Sequence, residues 1–525
     1  MHSRGSRKPA AAAWSRPEPL LANAQQPRSV GGLSPVRWSG VSWPILLVLL
    51  ALPLTCLALL VGQVSVLALV LACLVAPFLA RTDGAPTAAA IATLPLSGLL
   101  DQYGAGVGGY KIVVVLCAAC WTAGALAGWQ TVKFSVAPLD LAVSGLFAVA
   151  LMNIILLSQG GKSGLLQWYA GDYALYIWAR LTIFDLRRLW WAVFGFAAAG
   201  ALGALAGFWL YGSGLTPVSE QLVRLTLPGQ NTNAIGSMML VSAGFALPLL
   251  IYERRVIMRA TLAAILAAAV GATILTFSRG AFVGMAAIVA AGLAMSQSWR
   301  IRAASAVASL VAVGGVWTGI AGQAGLSSYV ARVTAITTLN YTTTAQRNVL
   351  WSMGWSAFTS HWLFGIGIGN FDQPQFWYPL AYQFAAPRSF FLYPQAAHSF
   401  YIGWASDAGV ASLIFLGVAL LLTLRTLFRC NRLRKGPTAT ALSYSIFFGF
   451  VGYFVFLASS PQQNSQLPYL MLALAGCLLA SMANLDDSAS QLSPGSVRAR
   501  RTEDWVSASQ GTADPTPRSG ETSSI

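Results

Sequence analysis

Apolar and polar positions along this chain fall into blocks rather than alternating. Runs long enough to cross a lipid hydrocarbon layer lie at roughly 44–62, 64–80, 111–129, 138–158, 189–211, 233–252, 257–277, 281–297, 303–321, 398–424, 440–459 and 467–484. A helix needs about 20 such residues to span that layer. Two weaker runs, at about 86–101 and 165–180, bring the expected number of spans to about twelve to fourteen. The pattern predicts an all-α polytopic membrane protein, and an even number of spans puts both tails on one side. Residues 1–43, rich in Arg, Pro, Ala and Ser, read as a disordered N-terminal tail. Residues 485–525, rich in Ser and Thr, read as a second one, leaving 44–484 as the membrane domain. No cleavable signal peptide is visible, although the acid-poor, Arg-containing start also suits an organelle transit peptide.

One polar interval, 322–396, is too long for a simple connection, and intervals of this length are usually functional or structured. Within it, residues 346–363 have an amphipathic helical pattern, with Val349, Leu350, Met353, Trp355 and Ala357 apolar and Arg347 at the start. Gly365, Gly367, Gly369 and Asn370 then predict a tight turn. Beyond the turn, Phe376, Trp377, Tyr378, Tyr382, Phe384, Phe390, Phe391 and Tyr393 crowd together. They fit either an aromatic belt at a membrane interface or, for some, a stacking surface for sugar rings.

Composition sharpens this picture. The chain is 56% hydrophobic and 9% charged, with mean hydropathy +0.63, far from a soluble domain. Its net charge of +16 does not require nucleic acid. The basic residues sit in the tails and in short loops: Arg180, Arg187 and Arg188; Arg254, Arg255 and Arg259; Arg300 and Arg302; and Arg425 through Lys435. These clusters fall at alternate turns, so the positive-inside rule makes them cytoplasmic. Residues 212–232, 278–280, 322–396 and 460–466 then face the other side, which gathers Arg224, Arg279, Arg347 and His398 there.

Six cysteines are present and none lies in the long loop, so no disulfide framework is implied. Cys117 and Cys120 form a C-x-x-C inside an apolar run, where packing is the simpler role than redox or zinc. There is no P-loop, no H-E-x-x-H, and no Asp-x-Asp for a metal-held nucleotide sugar.

The candidate chemistry lies at the ends of the apolar runs. Arg279, in TFSRGAFVG, is costly at a membrane boundary unless paired or wet. Its guanidinium fork suits a phosphate or diphosphate, the alternative being a headgroup anchor. Arg347 starts the loop helix and can reach a second phosphate oxygen or face solvent. Arg224 precedes LPGQNTNAIG, a turn into a helix that Asn233 is placed to cap. His398, followed by Ser399, stands at the mouth of a membrane helix, where an imidazole can take a proton near neutral pH; it can equally bond a loop carbonyl. Eleven residues advance an uninterrupted helix by nearly whole turns, so His398 and Gly409 are expected on one face, the glycine admitting another helix or a lipid chain. Asp407 falls on the opposite face, which makes Asp372 the better second polar contact. His361 reads as loop surface and His2 as tail.

Three stretches now carry a resemblance: SRGA at 278–281, QRNVLWSMGWSAFTSHWLFGIGIGNF at 346–371, and HSFYIGWASDAGVASLIFL at 398–416. Arg224 with LPGQNTNAIG is a weaker fourth. In this order, over roughly residues 220–420, they resemble the O-antigen ligase and polymerase superfamily of bacterial envelope glycosyltransferases. The resemblance implies a multi-span fold whose external loop covers the active site. It implies a polyprenyl-diphosphate-linked glycan as donor, held by Arg279, Arg347 and Arg224, with His398 activating the acceptor hydroxyl. It implies no cofactor and no metal. The acceptor would be a glycan, a lipid or a protein, and membrane lipids would surround the chain in a bacterial inner membrane. Both termini would be cytoplasmic and the site periplasmic. The chain departs from the family's ligases at Ser412, where they place Gly, Thr or Tyr, and at Trp351, where they place Leu. These departures favour a polysaccharide polymerase over an O-antigen ligase or protein O-oligosaccharyltransferase. A transporter or flippase of lipid-linked glycans is the reading from another class; it predicts a two-halved internal repeat, which the sequence lacks.

Overall fold

The computed structural model describes residues 75–103, 109–133, 135–214, 218–219, 222–227, 230–295, 298–306, 342–386, 395–433, 436–460 and 465–491. The expected spans at 44–62, most of 64–80 and most of 303–321 lie outside the described residues. So do residues 1–43 and 492–525, and Phe390, Phe391 and Tyr393; the first residues of the expected C-terminal tail, 485–491, are instead the end of the last helix.

The protein is all-α. In chain order the helices are α1 (Ala85–Thr93), α2 (Ser97–Tyr103), α3 (Gly109–Leu126), α4 (Pro138–Leu156), α5 (Lys162–Thr182), α6 (Leu186–Gly212) and α7 (Thr232–Tyr252). They continue with α8 (Val256–Leu275), α9 (Arg279–Met295), α10 (Thr342–Ser360), α11 (Pro374–Gln383), α12 (Phe400–Leu433), α13 (Pro437–Phe456) and α14 (Gln466–Gln491). Between α6 and α7 a short antiparallel ribbon pairs β1 (Val218–Ser219) with β2 (Leu222–Val223). Among the described residues, seven helices are long and apolar enough to cross a membrane: α4, α6, α7, α8, α12, α13 and α14. Two more, α3 and α9, are apolar but shorter. The two weak runs become helices of another kind. Residues 86–101 form α1 and α2, joined by a 3-10 turn over Leu94–Leu96, where Pro95 supplies no N–H to an α ladder. Residues 165–180 fall within α5, which carries Lys162, Asp172 and Arg180.

Helix α13 is the hub. It approaches α7 and α9 so closely that only glycine fits. A Cβ on Gly244 of α7 would lie 2.9 Å from the backbone N of Gly449, and one on Gly284 of α9 would lie 2.6 Å from the carbonyl O of Gly452. Small residues permit this backbone contact, which supplies dispersion where lipid gives no hydrophobic drive between helices. Peripheral helices α8 and α12 instead present Val256, Ile257, Ile414 and Leu421 outward, as expected of faces toward hydrocarbon.

Two arginines counted as loop charges are turned inward. Arg180 is 4% exposed and grips Asp140 through two hydrogen bonds of 2.8 and 2.9 Å. Tyr176 and the Ala137 N–H donate to the same carboxylate at 2.6 and 2.7 Å, leaving it fully bonded. Arg188 is also buried. It bonds Asp83, Asp185 and the Thr182 carbonyl, and stacks 3.8 Å above the ring of Phe184. Of that cluster only Arg187 is exposed. Asp140 lies 40 residues from Arg180 and Asp83 lies 105 from Arg188, so sequence position alone did not reveal these pairs.

Candidate active site

The site is assembled around a defect. Helix α12 begins at Phe400, where the Ser399 hydroxyl accepts from the Ile402 N–H. It is interrupted at Gly409, whose φ of 67° and ψ of −164° are not helical. An interruption strips backbone groups of their helical partners, and buried ones must be paired otherwise. The loop after α10 does this. Ile366 and Gly367 donate N–H bonds to the carbonyls of Ser406 and Asp407 at 2.8 and 3.0 Å, and Val410 donates to the Trp362 carbonyl at 2.8 Å. Ser412 donates to the carbonyls of Gly409 and Trp404, at 2.7 and 3.0 Å.

Polar side chains from α4 and its following turn hold the loop from behind. Asn153 donates to the Phe364 carbonyl at 2.7 Å and accepts from the Ile368 N–H at 2.6 Å. Ser158 donates to the Ile368 carbonyl, and Asn370 accepts from Gln159 N–H while donating to Leu157 and Ile366. Gly409 therefore admits loop backbone, not a second helix or a lipid chain. Nor do His398 and Gly409 share a helical face: the histidine precedes the helix and the glycine breaks it.

His398 adopts a left-handed backbone, with φ of 51°. Helix α10 packs over it, Gly354 lying against Ile402. The indole N–H of Trp351 donates to the His398 carbonyl at 3.4 Å. Arg347 precedes Trp351 by one helical turn and so shares its face. Burial, together with the Arg347 charge, pushes the His398 imidazole down from 6.5 to about 4. The ring is consequently neutral at neutral pH, and its buried Nδ1 has no protein hydrogen-bond partner among the described residues.

Arg224 and Arg279 belong to a second knot. Arg224 donates to the carbonyls of Thr276 and Phe277 at 3.3 and 3.1 Å, while Leu225 N–H reaches the Leu275 carbonyl at 2.9 Å. The 224–227 segment is thus stitched to the turn before Arg279. Phe277 takes a left-handed φ of 50° there. The Ser278 hydroxyl then accepts from Ala281 N–H, capping α9, and donates to Asn233 at 2.8 Å. Asn233 is therefore not the helix cap; Asn231, accepting from Ala234 N–H at 2.8 Å, caps α7. Arg279 is the first residue of α9, at the helix end whose dipole favours anions.

The two knots meet at one end of α13. Gly280 lies against Phe456 and Ser459. Tyr401, three residues after His398, donates to the Phe454 carbonyl at 2.8 Å. Gly280, next to Arg279, and Tyr401, three residues after His398, thus both touch the 454–459 corner. Asp372 stands elsewhere. It is exposed on the turn before α11, whose Gln375 reaches Gln159 at 2.6 Å, and no described contact joins it to His398. Asp407 is buried and accepts from the Ser406 hydroxyl at 3.3 Å. His361 is exposed, as expected. The loop aromatics divide: Trp377 is fully buried against Phe371 in the loop's own core, whereas Tyr378 and Tyr382 are exposed. The residues that sequence reasoning missed are Asn153, Tyr401 and the indole N–H of Trp351. Only Asn153 had a visible signal, an amide in the middle of an apolar run.

No match to this chain was found among curated proteins. A family model described as O-antigen ligase matches residues 262–417. That stretch contains Arg279, Arg347, His398 and both glycines of the loop–helix crossing, Gly365 and Gly409; Arg224 lies before it. Over this stretch, within an all-helical fold of membrane type, the chain is similar to the O-antigen ligase family.

Proposed function

We propose that the protein is a polysaccharide polymerase of the envelope, transferring a glycan from a polyprenyl-diphosphate carrier to an acceptor hydroxyl at the periplasmic face of a bacterial inner membrane. The observation that carries this reading is the His398 ring, its buried Nδ1 without a protein partner among the described residues and under the charge of Arg347, on a segment that shares the 454–459 corner with Gly280 beside Arg279. The acceptor oxygen attacks the anomeric carbon and the bond from that carbon to the diphosphate oxygen breaks. The acceptor proton passes to His398, and the negative charge on the leaving diphosphate is held by Arg279, Arg347 and Arg224. Fixed positive charge where charge develops lowers the barrier without reorganisation at the moment of reaction. Arg347 links the two halves. Its charge adds to burial in depressing the proton affinity of His398, and a bound diphosphate offsets that charge. Donor binding therefore strengthens the base.

The reaction needs no metal, and transfer should survive excess chelator; chelator-sensitive turnover would overturn that point. The match to an O-antigen ligase family model supports a ligase as the second reading. Size separation of glycans from cells deleted for the gene decides between them. Single repeats left on the carrier or final acceptor mean polymerase, and long chains left on the carrier mean ligase or protein glycosyltransferase. Complementation with His398→Ala should restore neither product at normal protein abundance; normal product from it would remove the catalytic role.

A further inference from the structure

Beside the His398–Arg347 pair, the outer face of α10 lines an open groove with a cavity of about 700 Å³, floored by Ile402. That volume is within the range of small-molecule sites. Its wall repeats at helical spacing. Trp351 and Trp355 stand one turn apart, and Asn348, Ser352 and Ser356 run beside them at the same interval. Among the described residues, no charged side chain lines it. Trp355 is 56% exposed on the groove wall, its ring tilted against Phe358 with centroids 5.2 Å apart. Trp351 is held by its bond to the His398 carbonyl, which fixes one end of the groove to the candidate base. Flat apolar rings alternating with hydroxyl and amide groups, without charge, complement a chain of neutral sugar rings: C–H faces for the indoles, hydroxyls for the polar row. A phosphorylated or peptidic ligand would find no counter-charge among these described lining residues.

We infer that this groove is the acceptor-glycan subsite, with Trp355 as its stacking platform, directing the terminal hydroxyl of the acceptor toward His398. The inference rests on the transferase reading for its direction, but not for glycan binding itself.

The test uses the full chain in lipid nanodiscs and, as probe, soluble oligosaccharide fragments released by mild hydrolysis of the host cell's own surface polysaccharide. Binding is read by calorimetry and by saturation-transfer NMR. Wild type should bind the fragments. Trp355→Ala should bind about tenfold or more weakly, the equivalent of ~1.4 kcal/mol, and Trp355→Phe should retain part of the affinity. In transfer assays Trp355→Ala should raise KM for the acceptor with kcat and donor KM nearly unchanged. Undiminished binding by Trp355→Ala, or no binding by wild type, overturns the subsite. Trp355→Phe carries the same comparison if the alanine variant does not fold. The two readings fail separately. Transfer by His398→Ala overturns the transferase mechanism and leaves the groove standing. Unchanged binding in the Trp355 variants overturns the groove and leaves the mechanism standing.

Discussion

Gly365 and Gly409 meet backbone to backbone where the loop crosses the break in α12. A Cβ on Gly409 would lie 2.5 Å from the carbonyl carbon of Leu363 and 2.7 Å from the N of Gly365; one on Gly365 would lie 2.4 Å from the carbonyl carbon of Asp407. Both residues also hold positive φ, 72° and 67°. Alanine at either position must open the crossing and pay for a left-handed backbone, together roughly 1–3 kcal/mol or more. Gly365→Ala and Gly409→Ala should each lower the thermal midpoint in detergent and reduce transfer by more than about tenfold, since positioning errors near the chemistry are costly. Wild-type midpoints for both would mean the crossing is loose.

Asn153 pins this loop from a helix 211 residues earlier in the chain. Asn153→Ala leaves the Phe364 carbonyl and the Ile368 N–H without that partner, at about 1–3 kcal/mol for each buried group left unpaired. Hydrogen exchange should rise over residues 362–370 while α7 and α13 stay protected. Uniform exchange across all three would show that the asparagine supports the bundle rather than the loop.

The depressed His398 gives a pH signature. The folded imidazole binds fewer protons than the unfolded one between about 4 and 6.5. Its contribution to stability is thus fully present above 6.5 and is lost as pH falls through about 4. The acid limb of kcat/KM should lie well below 6.5, near 4. Under saturating donor, where diphosphate offsets Arg347, the limb of kcat should lie higher. Arg347→Gln should raise the limb of kcat/KM while burial keeps it below the ordinary value. Coincident limbs in wild type and Arg347→Gln would disconnect the two residues.

The arginines separate by variant. A lysine is a point charge and does not replace a guanidinium fork. Arg224→Lys loses the paired bonds to Thr276 and Phe277, so it should lower both thermal midpoint and transfer. Arg279→Lys, at the start of α9, should reduce kcat/KM for the donor more than tenfold or so. Full activity in Arg279→Lys would argue for a headgroup anchor.

The sequence by itself determined the all-helical membrane architecture, because an apolar run and a helical period are local properties set by neighbours three and four residues apart. It also showed which residue types stand at the mouths of the helices, and Arg279, Arg347 and His398 were picked out as candidates from that. What it did not hold was the partner of each. Arg180 and Arg188 looked like loop charges until Asp140 and Asp83 were folded against them. Gly409 looked like a small residue on a continuous helix until the carbonyls of Ser406 and Asp407 were taken by a loop. Asn233 stood where a cap belongs, yet its oxygen serves Ser278 across 45 residues. A backbone dihedral at a glycine, or the direction of a buried charge, is fixed by groups distant in the chain, and no local periodicity encodes them. The tertiary structure decided them because only folding brings those distant groups within hydrogen-bond reach, where a buried polar group must find one of them or remain unpaired.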